Sequence, residues 1–257
     1  MLTPPEIARS LLAAGESKAR LPFGKMLLLA ILAGAYIALA GVGATAAAVT
    51  VESGSLAKLL SACVFPAGLS MVILAGSELF TGNCLMVMAL LERRITPAQL
   101  LRNWLTVYLG NAMGGAAVAA LAVYSHTASL FGDGLARSMV SIAESKAALG
   151  AGDAFLRGVL CNFLVCLAVW MAAASKRAEG KVIALFFPIL LFVLCGYEHC
   201  IANLYYLPAG AFAAAEYGME TTLTLAGCLK NLAAVTLGNL VGGAALGVGY
   251  RCAYLKE

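Results

Sequence analysis

The chain has 257 residues, of which 62% are hydrophobic and only 12% are charged, and its formal net charge is +4 at pH 7. A soluble domain carries roughly 25% charged residues, so this composition excludes an ordinary soluble protein and predicts an all-α integral membrane protein. The basic residues are scattered over loops without interleaved aromatic residues, which argues against nucleic-acid binding.

Residues 1–24 are expected to form an amphipathic helix on the cytoplasmic side of the membrane. The segment Thr3–Glu6 supplies an N-cap, a proline at the first helical position and a capping-box acid. Apolar Ile7, Leu11 and Leu12 then recur at helical spacing beside charged residues. The helix would lie on the membrane surface or pack under the bundle, and a solvated tail is the alternative.

Six apolar segments follow, and together they predict six membrane spans. Their approximate ranges are 26–51, 57–91, 104–124, 154–174, 182–217 and 224–250. A crossing takes about 20 residues, so segment 57–91 is too long for one simple helix and should contain a loop or kink. Segment 182–217 holds two shorter apolar runs, which cross the bilayer only together, so this helix should also be broken.

The basic residues orient these spans. Most of the 17 Lys and Arg residues fall on the inner side if both termini are cytoplasmic, as the positive-inside rule requires. We therefore expect residues 1–257 to form a single membrane domain, multi-pass in the cell inner membrane, with the lipid bilayer as its surroundings.

An internal repeat relates the two halves of the chain. The spacing Gly-x-Glu-x4-Asn occurs at 76–83 and again at 196–203, and [Arg/Lys]-Asn-x3-Val-x-Leu-Gly-Asn-x2-Gly-Gly occurs at 102–115 and again at 230–243. Each half contains three spans, so the second half enters from the opposite side. This predicts an inverted 3+3 repeat with halves 26–124 and 154–250. In such folds the substrate site lies near the midplane, at paired broken helices. The two Gly-Gly pairs suit close packing of the third and sixth spans.

The repeat separates structural residues from candidate pathway residues. Glu78 with Asn83 and Glu198 with Asn203 occupy equivalent places, which favours a structural role in the helix breaks. We expect each carboxylate to accept hydrogen bonds from the backbone amides that its own break frees, rather than to relay protons.

His199 has no counterpart in the first half, where Leu79 occupies the matching position. Ionisable groups at this depth are expensive and usually face a cavity or pathway, so His199 is the candidate pathway residue, and Thr81 is its candidate partner. Lys146 lies in the polar segment 125–152. It is interpreted either as a solvated loop lysine or as a cation that attracts anions to the outer mouth.

These motifs resemble the formate/nitrite transporter family. The resemblance rests on Ala75–Asn83, Asn162–Trp170 and Gly196–Asn203, together with the Gly-Asn-x-x-Gly-Gly of the sixth span. It implies an aquaporin-like protomer, a homopentamer with one pore per subunit, and passage of small monovalent anions of weak acids. Formate ranks first because segment 204–210 looks more like formate members, with hydrosulfide and nitrite close behind.

The resemblance also implies roles for single residues. His199 would be the central histidine, with Thr81 opposite it, Asn162 beside it and Lys146 at the outer vestibule. Apolar constrictions would lie above and below the chamber, formed by Leu69, Leu79, Phe80, Val165 and Phe192. Such constrictions exclude water and bare ions, which favours a neutral or proton-coupled species, so protons are expected partners.

Two rival functions remain open. The first is an aquaporin-type channel for neutral solutes, which would share the general architecture. The second is a membrane-bound enzyme or metal protein that uses Cys195, His199 and Cys200. We expect no enzyme, cofactor or metal, because catalytic spacings such as His-Glu-x-x-His are absent and a membrane-buried Cys is usually a small packing residue.

Overall fold

The computed structural model describes residues 1–255, and within them it contains twelve α-helices and two short 3-10 helices but no strand. Residues 256 and 257 of the predicted domain lie outside the described residues. The 3-10 helices are Cys84–Met86 and Thr127–Ser129. The α-helices are α1 (Pro4–Ala19), α2 (Phe23–Ala48), α3 (Gly54–Val64), α4 (Pro66–Ala75), α5 (Phe80–Asn83), α6 (Val87–Leu91), α7 (Pro97–Tyr124), α8 (Gly134–Ala148), α9 (Ala151–Ala173), α10 (Ala178–Leu194), α11 (Cys200–Glu216) and α12 (Leu225–Tyr254).

Five helical stretches among the described residues are long and apolar enough to cross a membrane. They are α2, α3 with α4, α7, α9 and α12. Helices α10 and α11 have 17 residues each and together cover the predicted segment 182–217. Large apolar side chains stay exposed along these helices, including Leu105 and Leu121 on α7 and Leu237 on α12. Apolar surface of this kind suits contact with lipid or with another subunit.

Glycines allow the long helices to pack closely in pairs. A Cβ atom at Gly114 of α7 would overlap the backbone of Ile31 in α2, and a Cβ atom at Gly242 of α12 would overlap the backbone of Val159 in α9. The Gly-Gly pairs of the third and sixth predicted spans therefore permit the close helix packing that the sequence suggests. Each of these spans packs against the first long helix of its own half.

Helix α1 packs under the helical bundle. The backbone N–H of Thr3 donates to the Glu6 carboxylate at 2.7 Å, which satisfies a free amide at the helix start. Ile7 is buried in a cluster that contains Met88 and Trp170. The amphipathic face of α1 thus covers the ends of α6 and α9, and the chain does not begin as a solvated tail.

The polar segment 125–152 differs from the loop that the sequence suggested, because most of it forms helix α8. Its buried face packs against α11 and its last turn carries Lys146. The backbone N–H of Thr222 and the hydroxyl of Thr221 donate to the half-buried Glu144 on α8. These hydrogen bonds hold the pKa of Glu144 below its usual value and fix the connection between α11 and α12 onto α8.

Candidate functional site

The first helix break is closed by one buried asparagine. Helix α4 ends at Gly76, whose φ of 77° suits a residue without a Cβ atom. The freed backbone N–H of Phe80 donates to Asn111 Oδ1 at 3.0 Å. Asn111 Nδ2 in turn donates to the carbonyl oxygens of Ala30, at 2.7 Å, and Glu78, at 2.9 Å. One side chain therefore satisfies two backbone groups that the break leaves unpaired, the Phe80 N–H and the Glu78 carbonyl, and ties them to the carbonyl of Ala30 in α2.

The second break has the same construction. Helix α10 ends before Gly196, which has a φ of 68°. The backbone N–H of Cys200 donates to Asn239 Oδ1 at 2.9 Å. Asn239 Nδ2 donates to the carbonyl oxygens of Gly158, at 2.8 Å, and Glu198, at 2.9 Å. Asn111 and Asn239 are the asparagines of the repeated Gly-Asn-x-x-Gly-Gly motif, whose role in closing the breaks the sequence analysis missed.

The carboxylate of Glu78 takes its hydrogen bonds from side chains rather than from the freed backbone amides. It accepts hydrogen bonds from Asn83 Nδ2 at 2.8 Å and from Lys18 Nζ at 2.7 Å. Asn83 Nδ2 also donates to Asn103 Oδ1 at 2.9 Å.

Glu198 repeats the arrangement, and the two carboxylates together correct a prediction. Glu198 accepts from Asn203 Nδ2 at 2.7 Å and from Lys146 Nζ at 2.9 Å. Asn203 Nδ2 also donates to Asn231 Oδ1 at 2.8 Å. The prediction that Glu78 and Glu198 accept the freed amides is wrong. Asn111 of α7 and Asn239 of α12 each accept one freed amide instead, and each carboxylate accepts from a lysine and an asparagine side chain.

Each break therefore carries an ion pair between a buried carboxylate and a lysine from an amphipathic helix, and the Lys18 side chain of the first pair is 30% exposed. Lys18 lies in the last turn of α1 and Lys146 in the last turn of α8. The side chains of Lys146 and Glu198 are 15% and 8% exposed, so Lys146 is neither a solvated loop residue nor a free cation. Lys18 is not among the residues predicted from the sequence. It could have been found, because Lys18 precedes Lys146 by the same number of residues as Asn103 precedes Asn231.

Removing the lysine of the second pair should destabilise the protein. Lys146→Met leaves the Glu198 charge buried without a cation, and breaking one partner of a buried pair costs about 3 kcal/mol. Thermal unfolding of detergent-solubilised protein measures the loss. The double variant Lys146→Met/Glu198→Gln should recover most of it, because no uncompensated charge remains. Lys230→Met, on the exposed surface, is the matched control. A single variant as stable as the wild type would contradict the assignment.

His199 lies in the second break, at the N-cap of α11, and is nearly fully buried, with 3% of its surface exposed. The backbone N–H of Ala202 donates to His199 Nδ1 at 3.0 Å, so this nitrogen carries no proton. In the neutral imidazole the proton then lies on Nε2, which contacts Thr81 Oγ1 at 3.0 Å. His199 Nε2 is the donor of that bond, and the Thr81 hydroxyl hydrogen is free to donate elsewhere.

Aromatic and aliphatic side chains surround this contact. The Phe192 ring stacks on His199 with centroids 5.8 Å apart, and Phe65 meets Phe192 edge-on at 5.6 Å. The Phe80 ring packs edge-on against Tyr108 at 5.1 Å. The five residues predicted as constrictions all belong to one buried apolar cluster: Leu69, Leu79, Phe80, Val165 and Phe192.

Asn162 holds the two halves together beside this contact. Its Nδ2 donates to the carbonyl oxygen of Thr81 at 3.3 Å and to that of Asn239 at 2.7 Å. Both donor hydrogens of Asn162 are thus used by backbone carbonyls. The side chain fixes the short helix α5 that presents Thr81, and its amide group has no hydrogen left for a solute.

A cavity of about 520 Å³ opens against the second break, and we call it the vestibule. Its lining includes Lys146, Glu198, Phe192 and His199, but Thr81 is not among the lining residues. His199 therefore lies at the closed end of the vestibule, with Thr81 beyond it. Among the five residues predicted as constrictions, only Phe192 lines the vestibule in the part of the chain that the structure describes.

Comparison with known proteins places this arrangement in a family. A family model described as "Formate/nitrite transporter" matches residues 5–253, almost the whole chain. The chain belongs to the formate/nitrite transporter family. This family consists of channels and transporters, and the protein is accordingly a multi-pass membrane protein.

Named relatives and solved structures agree with the family model. This transporter is 38% identical to the probable formate transporter of Methanothermobacter thermautotrophicus over 99% of this chain and 98% of that protein. It is 39% identical to the formate channel FocA of Haemophilus influenzae over 83% of this chain and 81% of that protein. A solved FNT family ion channel matches with a TM-score of 0.87 at 31% identity, covering 96% of this chain and 98% of that chain. A pentameric formate channel with formate bound matches with a TM-score of 0.81 at 33% identity, covering 91% and 98%.

The cysteines considered for a metal site are dispersed in this transporter. Cys195 is exposed at the end of α10, whereas Cys200 is buried at the start of α11. Within residues 1–255, no group of three or more His, Cys, Asp or Glu side chains is arranged to hold a metal ion.

Proposed function

We propose that this transporter carries small monovalent anions of weak acids, with formate as the first candidate and hydrosulfide or nitrite as the alternatives. The observation that carries the proposal is the buried contact of His199 Nε2 with Thr81 Oγ1 at 3.0 Å, which joins the two helix breaks. The relatives support formate, since the Haemophilus influenzae protein is named a formate channel and one solved relative has formate bound.

The architecture that we propose for this pathway is an aquaporin-like inverted repeat of six spans, three in each half. Its halves are residues 26–124 and 154–250, with the second span broken after Ala75 and the fifth broken after Leu194. The matched hydrogen bonds of Asn111 and Asn239 support this symmetry. In such a repeat both breaks lie near the membrane midplane, which puts His199 at the centre of the pathway.

The proposed constrictions determine which form of the solute crosses. A bare anion that leaves water for a passage walled by Leu79, Phe80 and Phe192 loses its hydration, at a cost of several kcal/mol. The same molecule avoids most of that cost as a neutral acid. Passage should therefore occur as the neutral acid or together with a proton, and Leu69 and Val165 would add to the apolar wall.

His199 would act on the solute as a neutral hydrogen-bond donor. Protonation of Nδ1 would displace the backbone N–H of Ala202, which caps the first turn of α11. A neutral imidazole keeps that cap and still presents the Nε2 proton toward Thr81. The pair can thus turn a donor group toward an arriving anion without placing a fixed positive charge in the passage.

The transporter would have one orientation in the membrane and would assemble from several copies of the chain. Both termini would lie in the cytoplasm and the vestibule would open outward, as the distribution of basic residues suggests. The protein would form a homopentamer in the inner membrane, because the solved relative with bound formate is pentameric. The exposed apolar faces of α2, α7 and α9 would then contact lipid or neighbouring subunits.

A competitive uptake assay tests the function. Purified protein in proteoliposomes should take up labelled formate faster than protein-free liposomes, and unlabelled nitrite or hydrosulfide should compete to an extent that ranks the three anions. Uptake should increase as the external pH falls, because more of the solute is then protonated. Swelling in response to water or glycerol gradients, without uptake of any of the three anions, would instead favour a channel for neutral solutes.

A further inference from the structure

The vestibule has a charge distribution that the Lys146–Glu198 pair does not explain. Its charged lining consists of Lys58, Lys146, Arg157 and Glu198. Lys146 Nζ lies 2.9 Å and 3.1 Å from the two carboxylate oxygens of Glu198, so these two charges neutralise each other. The remaining charges of the lining are Lys58 and Arg157, and they give the vestibule a net charge of two positive when His199 is neutral.

No carboxylate among the described residues forms an ion pair with Lys58 or Arg157. Asp153, one helical turn before Arg157 on α9, does not pair with it. The backbone carbonyl of Arg157 accepts the N–H of Glu198 at 3.3 Å, which fixes this residue beside the second break. Its guanidinium makes no hydrogen bond within the part of the chain that the structure describes, so both cationic groups are available to a solute in the vestibule.

We propose that Lys58 and Arg157 form the anion-capture site of the vestibule and that Lys146 is a structural ion-pair partner. This inference rests on the proposed function and names the groups that collect its substrate, a small monovalent anion. Hydroxyl groups of Ser61 on α3 and Ser138 on α8 also line the vestibule. They can donate hydrogen bonds to the anion that the two cations attract.

Anion capture would result from the electrostatic field that unpaired cations create inside the partly enclosed vestibule. Unpaired charges of one sign in a cleft with apolar walls raise the local concentration of the opposite ion and its rate of entry by about 10- to 1000-fold. A paired lysine contributes little, because the field of its carboxylate partner cancels its own over a short distance. Capture at the mouth therefore depends on Lys58 and Arg157, whereas the chemistry at the closed end depends on His199.

Initial uptake rates of labelled formate into membrane vesicles test the inference. The double variant Lys58→Gln/Arg157→Gln is compared with the wild type in right-side-out and inside-out vesicles, at ionic strengths of about 0.01 M and 1 M. At low salt the variant should raise the half-saturating formate concentration about five- to tenfold, in one vesicle orientation only. At high salt the difference should disappear, because the Debye length falls from about 30 Å to 3 Å.

Two controls separate charge from structure. The variant Lys58→Arg/Arg157→Lys keeps both charges and should match the wild type. Lys230→Gln removes an exposed cation that does not line the vestibule and should leave the half-saturating concentration unchanged. If the wild type takes up formate and the double variant has the same half-saturating formate concentration at low salt in both vesicle orientations, this inference is wrong but the proposed function stands. Wild-type vesicles that take up no formate, nitrite or hydrosulfide overturn the proposed function and this inference with it.

Discussion

Replacing Asn111 or Asn239 with Leu should cost the transporter on the order of 5 kcal/mol of folding free energy. Each asparagine accepts one freed amide and donates to one freed carbonyl and to one carbonyl of a neighbouring helix, so the substitution strands two buried backbone groups and removes a third hydrogen bond. A buried polar group without a partner costs about 1–3 kcal/mol, and apolar surroundings keep water from substituting. Since natural proteins are stable by only about 5–15 kcal/mol, much of the variant protein should fail to fold.

The measurement is the yield of monodisperse protein in detergent, followed by thermal unfolding of what remains. Leu109→Ala and Leu237→Ala are matched controls, because each lies two residues before one of the asparagines and is exposed at the helix surface. The yield and thermal stability of these two control variants should stay near those of the wild type. The two asparagine variants should also resemble each other, since their hydrogen bonds correspond group by group. A stability within about 1 kcal/mol of the wild type in either variant would refute the proposed closure of the breaks.

The ends of α4 and α10 could be predicted because their causes are local in the sequence. Gly76 and Gly196 supply the left-handed conformation that ends a helix, and both precede a polar pair with fixed spacing. Because the spacing Gly-x-Glu-x4-Asn occurs twice, His199 stands out as a residue that the first copy lacks. Thr81 is the candidate partner of His199 from the sequence, and the two side chains lie 3.0 Å apart.

The partners of the carboxylates could not be predicted because they depend on packing between distant segments. Glu78 pairs with Lys18 and Glu198 with Lys146, and each lysine lies on an amphipathic helix many residues away. The sequence shows that a buried carboxylate needs partners, but several donors can meet that need. Helix α8 was missed for a related reason, since its polar face resembles a loop until α11 is seen to cover its apolar face.

The largest functional effect should come from His199. His199→Asn should lower formate uptake roughly 10- to 100-fold, because a hydrogen bond to a charged group contributes about 1.5–3 kcal/mol and each 1.4 kcal/mol is a factor of about ten. Asparagine is among the best N-cap residues, so it can still accept the Ala202 N–H that His199 Nδ1 accepts at 3.0 Å. Its shorter side chain cannot reach Thr81 as the imidazole does.

Comparison of His199→Asn with His199→Ala separates the role of His199 in solute transport from its role as a helix cap. His199→Ala loses both the cap and the donor, so it should also lower thermal stability by about 1 kcal/mol, whereas His199→Asn should not. Uptake into proteoliposomes at several external pH values measures the functional part, and thermal unfolding measures the structural part. If His199→Ala leaves both the flux and its dependence on external pH unchanged, the central role of this residue is wrong.

Thr81→Val tests whether the two residues act through one contact. Valine keeps the branched shape of threonine but removes the oxygen that lies 3.0 Å from His199 Nε2. If the imidazole and the hydroxyl present one donor to the solute, the double variant His199→Asn/Thr81→Val should be hardly slower than the slower single variant. If the fold reduction in uptake of the double variant equals the product of the two single reductions, His199 and Thr81 act independently. Because this comparison concerns the pair alone, it distinguishes a joint donor at the closed end of the vestibule from two independent polar groups along an apolar passage.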